Sequence, residues 1–255
     1  KRASVIKKTD EIDIKLYLKS LHGLNLSHTT INRKLSSLKH FFIFLNKKRY
    51  VQHNPVINFS GLKNTKPLPK SLSITDVNML LNAPDSSNFI GLRDKAMLEL
   101  MYATGVRISE LINLQYTNID LTRSLIKVMG KGGKERMIPF GDNALSWLTE
   151  YIEYRRTNNL SLKSRDFFVS QQGKKMTRQA FWHRVKQYLT ISGLSEDVSP
   201  HTLRHAFATH LLNNGADLRS VQMLLGHSDL STTQIYTHIA KQRLSDMVKE
   251  HHPRG

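Results

Sequence analysis

The sequence predicts a mainly α chain with one small antiparallel β-sheet, an α+β arrangement in two domains. Three observations carry this. Most apolar residues recur at three- and four-residue spacing, the period of a helix with one buried face. A single stretch, RSLIKVMGKGGKERMIPF (residues 123–140), sets two short β-prone runs around Gly130-Lys131-Gly132-Gly133, which predicts a hairpin with Lys131 at its tip. Residues 53–73, HNPVINFSGLKNTKPLPKSLS, contain Pro55, Pro67, Pro69 and Gly61 and follow neither period, so they read as an extended connector. Domains over residues 1–60 and 71–255, joined by a linker over 61–70, follow from it.

Each element has a local reason. After Asp10, Ile12, Leu16, Leu18 and Leu21 fall at helical spacing, and Gly23 ends the run. A second helix is expected after Ser27, with Ile31, Leu35, Leu38, Phe42 and Leu45 on its core side. Its other side carries Arg33, Lys34, Lys39, Lys47, Lys48 and Arg49. Past the connector, a helix near Thr75–Leu81 precedes GLRDKAMLELMYATG, closed by Gly105, and Val106–Leu114 is expected as a short helix carrying Arg107. Helices resume at DNALSWLTEYIEYRR and at TRQAFWHRVKQYL, where Arg178 and Gln179 sit near the start and Phe181 and Val185 on the core side. In SPHTLRHAFATHLL, Ser199 is an N-cap, Pro200 occupies the first helical position, and His201 and Arg204 are three residues apart on one face. Ser231 and Gln234 have capping-box spacing, so a short helix from Ser231 would carry Tyr236 in its first turns. The final helix, within Ala240–Gly255, places Leu244, Met247 and Val248 on one side.

The net charge is +18. Such an excess on a folding-competent composition points to a polyanionic partner, nucleic acid first and an anionic membrane surface second. It is concentrated early: residues 1–70 hold 15 Lys and Arg against 3 Asp and Glu. The basic side of the second helix, Arg33, Lys34 and Lys39 above all, is therefore read as contacting a phosphate backbone. The absence of cysteine excludes disulfides, thiolate nucleophiles and cysteine zinc sites. No long apolar run exists, and the start, KRASVIKKTDEIDI, has no signal-peptide core, which predicts a soluble, cytoplasmic, nucleoid-associated protein. Because the chain begins at Lys1 and not at methionine, an earlier segment is expected to have been lost or trimmed.

The candidate chemistry centres on Tyr236, with His227 nine residues upstream. A phenol with a pKa of about 10 must be deprotonated to attack a phosphodiester, and the phosphate oxygens repel it until cations neutralise them. Guanidiniums suit that task, since each offers a rigid fork of donors and keeps its charge; Arg107 and Arg204 are the candidates. A leaving alkoxide needs a proton, which a lysine at a hairpin tip can deliver, and Lys131 is so placed.

These residues lie in YATGVRISEL, MGKGGKER, SPHTLRHAFATHLL, LLGHSDLSTT and TQIYTH. Together, and in this order, the motifs resemble the tyrosine recombinase (phage-integrase-like) family, and GADLRSVQMLLGHSDLSTTQIYTH with the terminal HHPR is most similar to its XerD branch. The resemblance implies a two-domain, C-shaped DNA clamp with a recombinase-like catalytic domain. It implies that Tyr236 forms a 3′-phosphotyrosyl link, that Arg107 and Arg204 hold the phosphate, and that Lys131 protonates the leaving oxygen. His201 would assist proton transfer and phosphate binding, and His227 would hydrogen-bond the phosphate. Rejoining would need no cofactor, neither metal nor ATP. It further implies Arg178 and Gln179 as DNA-reading residues, a dif-like DNA site, a XerC-like recombinase in a heterotetramer, an FtsK-like translocase, a role in resolving chromosome dimers, and a C-terminal helix docked on a neighbouring subunit, the alternative for that helix being a cover for the protein's own core. Residues 1–60 are fewer than the four-helix unit so implied, so the N-terminal domain is expected to be incomplete. Competing readings are a non-catalytic DNA-binding protein, a type IB topoisomerase-like nicking-closing enzyme, and a metal-dependent hydrolase using His201 and His205.

Overall fold

A computed structural model describes residues 6, 8–62, 72–130, 133, 135–158, 164–195, 197–226 and 238–255, with side chains placed from 243 onward in the last stretch. The chain divides into two compact units, Lys1–Pro69 and Lys70–Gly255. It is mainly helical with one small antiparallel sheet, as the apolar periodicity predicts.

In the first unit, α1 (Glu11–Gly23) starts at a capping box: Asp10 accepts from the backbone N–H of Asp13, and the Asp13 side chain accepts from that of Asp10. α2 (His28–Lys47) is capped by Ser27 and buries Ile31, Leu35, Phe42 and Leu45, the stripe expected of it. In α1 the stripe differs. Ile12 and Leu16 are exposed, whereas Ile14 and Leu21 are buried. Both faces of this short helix carry aliphatic residues, so periodicity alone does not choose between them; packing on α2 does. The stretch after residue 53 is not extended from its start. Residues 55–58 form a turn, Val56 is fully buried in this unit's core, and Phe59 packs beside it. Asn32 then ties Leu62 to α2 by accepting from its N–H at 2.7 Å and donating to its carbonyl at 2.8 Å. Residues 63–71, with the remaining prolines, lie outside the described residues.

The second unit is built on α4 (Phe89–Thr104), preceded by α3 (Ile74–Asn82). Every α4 side chain except Ile90 is buried, because α6 (Asp142–Thr157) and α8 (Pro200–Asn213) cover it on different sides. Its charges are accordingly paired: Asp94 receives Arg93 and Arg184, and Lys95 and Arg254 both meet Glu99. Gly105 ends α4 in the left-handed region, φ 58°, and a Cβ there would collide with the Phe207 ring.

α5 is the single turn Ile108–Leu111, shorter than expected, with Arg107 at its N-cap instead of inside the helix. A 3₁₀ turn leads into β1 (Ile119–Asp120), which the sequence does not announce. It pairs with β2 (Leu125–Met129), and β2 pairs in turn with β3 (Glu135–Pro139), in the order β1-β2-β3. The register sets Ile126 against Ile138 and Val128 against Arg136 on the core face. The hairpin is therefore as predicted, while its tip residue Lys131 lies outside the described residues. α7 (Arg178–Ile191) is capped by Thr177, and α8 by Ser199 with Pro200 at its start. α9 (Leu218–Leu225) closes at Gly226. α10 (His238–His251) buries Leu244, Met247 and Val248 against its own chain, packing on α8 and β3. This face of α10 thus covers the unit's own core. The helix start expected at Ser231, with Gln234, lies outside the described residues. No helix among the described residues is long and apolar enough to cross a membrane.

Buried imidazoles pin the ends of this unit. His210 donates through Nε2 to the Leu72 carbonyl at 2.9 Å and accepts from the Tyr102 hydroxyl at 2.8 Å. His252 donates through Nε2 to the Tyr102 carbonyl at 3.2 Å and accepts the Arg254 backbone N–H at 3.1 Å. Burial pushes the His252 pKa down from 6.5 to about 4, so the folded protein refuses a proton that the unfolded chain takes up. Stability is therefore expected to be full above pH 6.5 and to fall as pH drops toward 4, by about 3 kcal/mol from this group. Chemical denaturation across that window should show a flatter profile for His252→Gln, which keeps an N–H for Tyr102. Gly105→Ala should cost roughly 2–4 kcal/mol in the same assay, from left-handed strain and the Phe207 collision.

Candidate active site

The site forms where α4 and α9 end. A helix C-terminus leaves carbonyls without intrahelical donors and carries partial negative charge. Arg204, from the second turn of α8, donates to the carbonyl of Gly105 and, at 2.7 Å, to that of Leu225. Its fork thus bridges the ends of α4 and α9. Gly105 lies two residues before Arg107, and Leu225 two before His227. The pKa of Arg204 is pushed down to about 10, first by burial and then by repulsion from Arg107 and Arg136, with Glu110 partly offsetting both. Two of the expected cations, Arg107 and Arg204, thus share one helix end: Arg204 rests on the Gly105 carbonyl, and Arg107 follows two residues on.

Arg107 is held through the N-terminus of α5. Its backbone N–H donates to Glu110 Oε2 at 2.8 Å, and its Nη1 to Glu110 Oε1 at 3.0 Å. The side chain nevertheless stays 37% exposed. Glu110 is buried. Burial alone would raise its pKa, but hydrogen bonds and charge from Arg136, followed by the bonds from Arg107, hold it below the usual carboxylate value. Arg136 meets both carboxylate oxygens, Nη1 to Oε1 at 2.9 Å and Nη2 to Oε2 at 2.8 Å, and its Nε donates to the Leu224 carbonyl at 3.0 Å.

His201 is exposed in the first turn of α8, three residues before Arg204. Lys131, His227 and Tyr236 lie outside the described residues; the described chain stops at Gly226, next to His227. Of the other candidates, Arg33 is exposed on α2 and Lys34 and Lys39 are half-buried. By helical phase, Lys34 and Lys39 border the buried stripe on its two sides while Arg33 lies opposite it, so the three do not form one row. Arg178 and Gln179 are both exposed at the start of α7, whose other side buries Phe181 and Val185. His205 is also exposed, and among the described residues no cluster of three or more His, Asp or Glu could hold a metal ion.

Two residues of this cluster are not picked out by the motifs. Glu110 stands three residues after Arg107, where a helix N-terminus uses a carboxylate to reach back to its N-cap. Arg136 shares the inward phase of Ile138 in β3, and a charge in that phase needs a buried partner. Chemically, the arrangement pairs two guanidiniums with one carboxylate and sets a third, Arg204, on helix-end carbonyls, leaving the Arg107 fork partly open to solvent. Such an arrangement can receive an oxyanion such as a phosphate.

Comparison with known proteins agrees. The profile of the phage integrase family matches residues 70–243, and that of the phage integrase N-terminal SAM-like domain matches residues 1–49. The tyrosine recombinase XerD of Pseudomonas putida is 53% identical over 224 residues, 88% of this chain and 75% of that protein. The XerD of Proteus mirabilis is 50% identical over 246 residues, 96% of this chain and 79% of that protein. Among solved structures, the XerH site-specific recombinase bound to palindromic difH substrate, in a post-cleavage complex, matches with a TM-score of 0.74. It does so at 27% identity, over 94% of this chain and 72% of that one. The chain belongs to the phage integrase family and is a XerD-like tyrosine recombinase, a DNA strand transferase of the site-specific kind.

Proposed function

We propose that this recombinase cleaves and rejoins a dif-type DNA site through a 3′-phosphotyrosyl intermediate, with Tyr236 as nucleophile, and so resolves chromosome dimers. The reading is supported most by Arg204 at the ends of α4 and α9, tied to the Gly105 carbonyl two residues before Arg107, whose own fork is partly open to solvent. The Tyr236 phenol gives up its proton, His201 assisting the transfer, and its oxygen attacks phosphorus; the bond to the 5′ oxygen breaks, and the departing alkoxide takes a proton from Lys131. Arg107 and Arg204 offset the charge that builds on the phosphate. His201 assists proton transfer and phosphate binding, and His227 hydrogen-bonds the phosphate. Because the covalent link retains the energy of the broken phosphodiester, the reverse attack by a 5′ hydroxyl restores DNA without metal or ATP. Arg33, Lys34 and Lys39 on α2 contact the DNA backbone, and Arg178 and Gln179 on α7 reach base edges. A XerC-like recombinase completes a heterotetramer, and an FtsK-like translocase switches it on. The XerD relatives and the XerH structure on a difH substrate support the choice of site.

A nicked suicide substrate bearing a dif-type site tests this. The protein, alone or with a XerC-type partner, should leave a denaturation-resistant protein–DNA adduct. Tyr236→Phe should abolish it, and Arg107→Ala or Arg204→Ala should slow it by about a hundredfold or more. DNA binding without any adduct would favour a non-catalytic DNA-binding protein, and relaxation of supercoils without exchange between paired sites a nicking-closing enzyme. A 5′-thio leaving group, which departs without a proton, should restore cleavage to Lys131→Ala. Failure of that rescue would remove Lys131 from the general-acid role.

A further inference from the structure

Arg136 occupies a place where chain geometry asks for an apolar side chain. It lies opposite Val128 on the core face of the sheet, in phase with Ile138, and only 8% of its side chain is exposed. Burying a guanidinium there is costly unless its donors are met. They are met by the Glu110 carboxylate, through two parallel bonds, and by the Leu224 carbonyl in the last turn of α9. The side chain also lies flat against the turn that follows: a Cβ at Gly226 would come within 3.1 Å of Arg136 Cδ, Nε and Cζ. Gly226 takes a φ of 67° and precedes His227. One residue on the strand leaving the Lys131 hairpin therefore touches both the carboxylate that holds Arg107 and the exit of α9.

The charges explain why this matters. A carboxylate beside a phosphate site opposes the anion, and left to itself it would draw Arg107 into a closed two-bond pair. Arg136 engages both Glu110 oxygens, and Arg107 keeps a single guanidinium bond to that carboxylate. We infer that Arg136 is a positioning residue: it occupies Glu110 so that the Arg107 fork stays open to the phosphate, and it fixes the turn at Gly226 from which the His227–Tyr236 segment departs. This rests on the reading that Arg107 and Arg204 hold the scissile phosphate.

Single-turnover cleavage of the suicide substrate, DNA affinity and thermal unfolding separate the possibilities. Arg136→Lys keeps the buried charge but not the two-pronged geometry; it should fold, bind DNA as wild type does, and cleave about a hundredfold more slowly. Arg136→Met should be slower still, and adding Glu110→Gln to it should recover about tenfold, because the competing negative charge is gone. A folded Arg136→Lys protein that cleaves at the wild-type rate would overturn the inference while leaving the phosphotyrosyl reading intact. So would a loss of DNA affinity in step with cleavage, the mark of a merely structural ion pair. If wild type itself forms no adduct, the functional reading falls and the inference with it.

Discussion

The Arg204 guanidinium holds the catalytic-side unit together at the point where its helices stop. α4 and α9 both end in carbonyls that no helical N–H can satisfy, and both ends carry partial negative charge. Arg204 reaches from α8 to the terminal carbonyl of each. Three helices thereby share one spacing. The same constraint accounts for Gly105, which must turn left-handed so that its carbonyl faces Arg204 and must lack a Cβ so that Phe207, one turn further along α8, can close on it. Placing Gly105 also places Arg107, two residues on. A cluster of positive charge thus arises from the ordinary need to terminate helices.

Around that point the fold is governed by α4, a helix buried on nearly its whole circumference yet rich in charge. Buried ions are tolerated only when paired, and each partner recruits a distant element. Asp94 draws in Arg184 and the Tyr188 hydroxyl, which orients α7 and with it the exposed Arg178 and Gln179. Glu99 draws in Arg254 at 2.6 Å, which seats the C-terminus against its own core. These contacts hold one face of α10 against the unit's core. They are specific in direction, so they select one arrangement of helices where apolar packing alone would permit several.

What was legible beforehand follows the range of the interactions. Helix starts at Ser27, Thr177 and Ser199, the stop at Gly105 and the two strands of the hairpin depend on neighbours within a few residues, and each could be read directly. The buried face of α1 could not, because Ile12 and Leu16 are as apolar as Ile14 and Leu21 and only contact with α2 distinguishes them. Val56 lies among turn-forming residues that resemble a linker, and its burial depends on α1 and α2 being assembled. β1 spans two residues and exists only by pairing with β2. At the site, Arg107, His201 and Arg204 stand in recognisable motifs. Arg136 and Glu110 are visible only once strand phase and helix start are considered together, since they are 26 residues apart and answer to each other.

The cluster is costly to the folded protein in the absence of a ligand. Two guanidiniums hold one carboxylate while a third, Arg204, rests on helix-end carbonyls, and burial and repulsion from Arg107 and Arg136 lower the pKa of Arg204. A surplus of positive charge in a part-buried place is unfavourable to folding, yet it is what a transferring phosphate group requires, because donors already oriented need no rearrangement as charge develops. The protein limits that cost by giving every arginine acceptors of its own or shared with a neighbour. Arg204 rests on two helix ends, Arg136 on a carboxylate and a third carbonyl, and Arg107 on the same carboxylate while remaining partly open. Arg107, with the fewest guanidinium bonds of the three, is therefore the one left partly open to solvent, and the anchoring of Arg136 and Arg204 fixes the positive surface beside it.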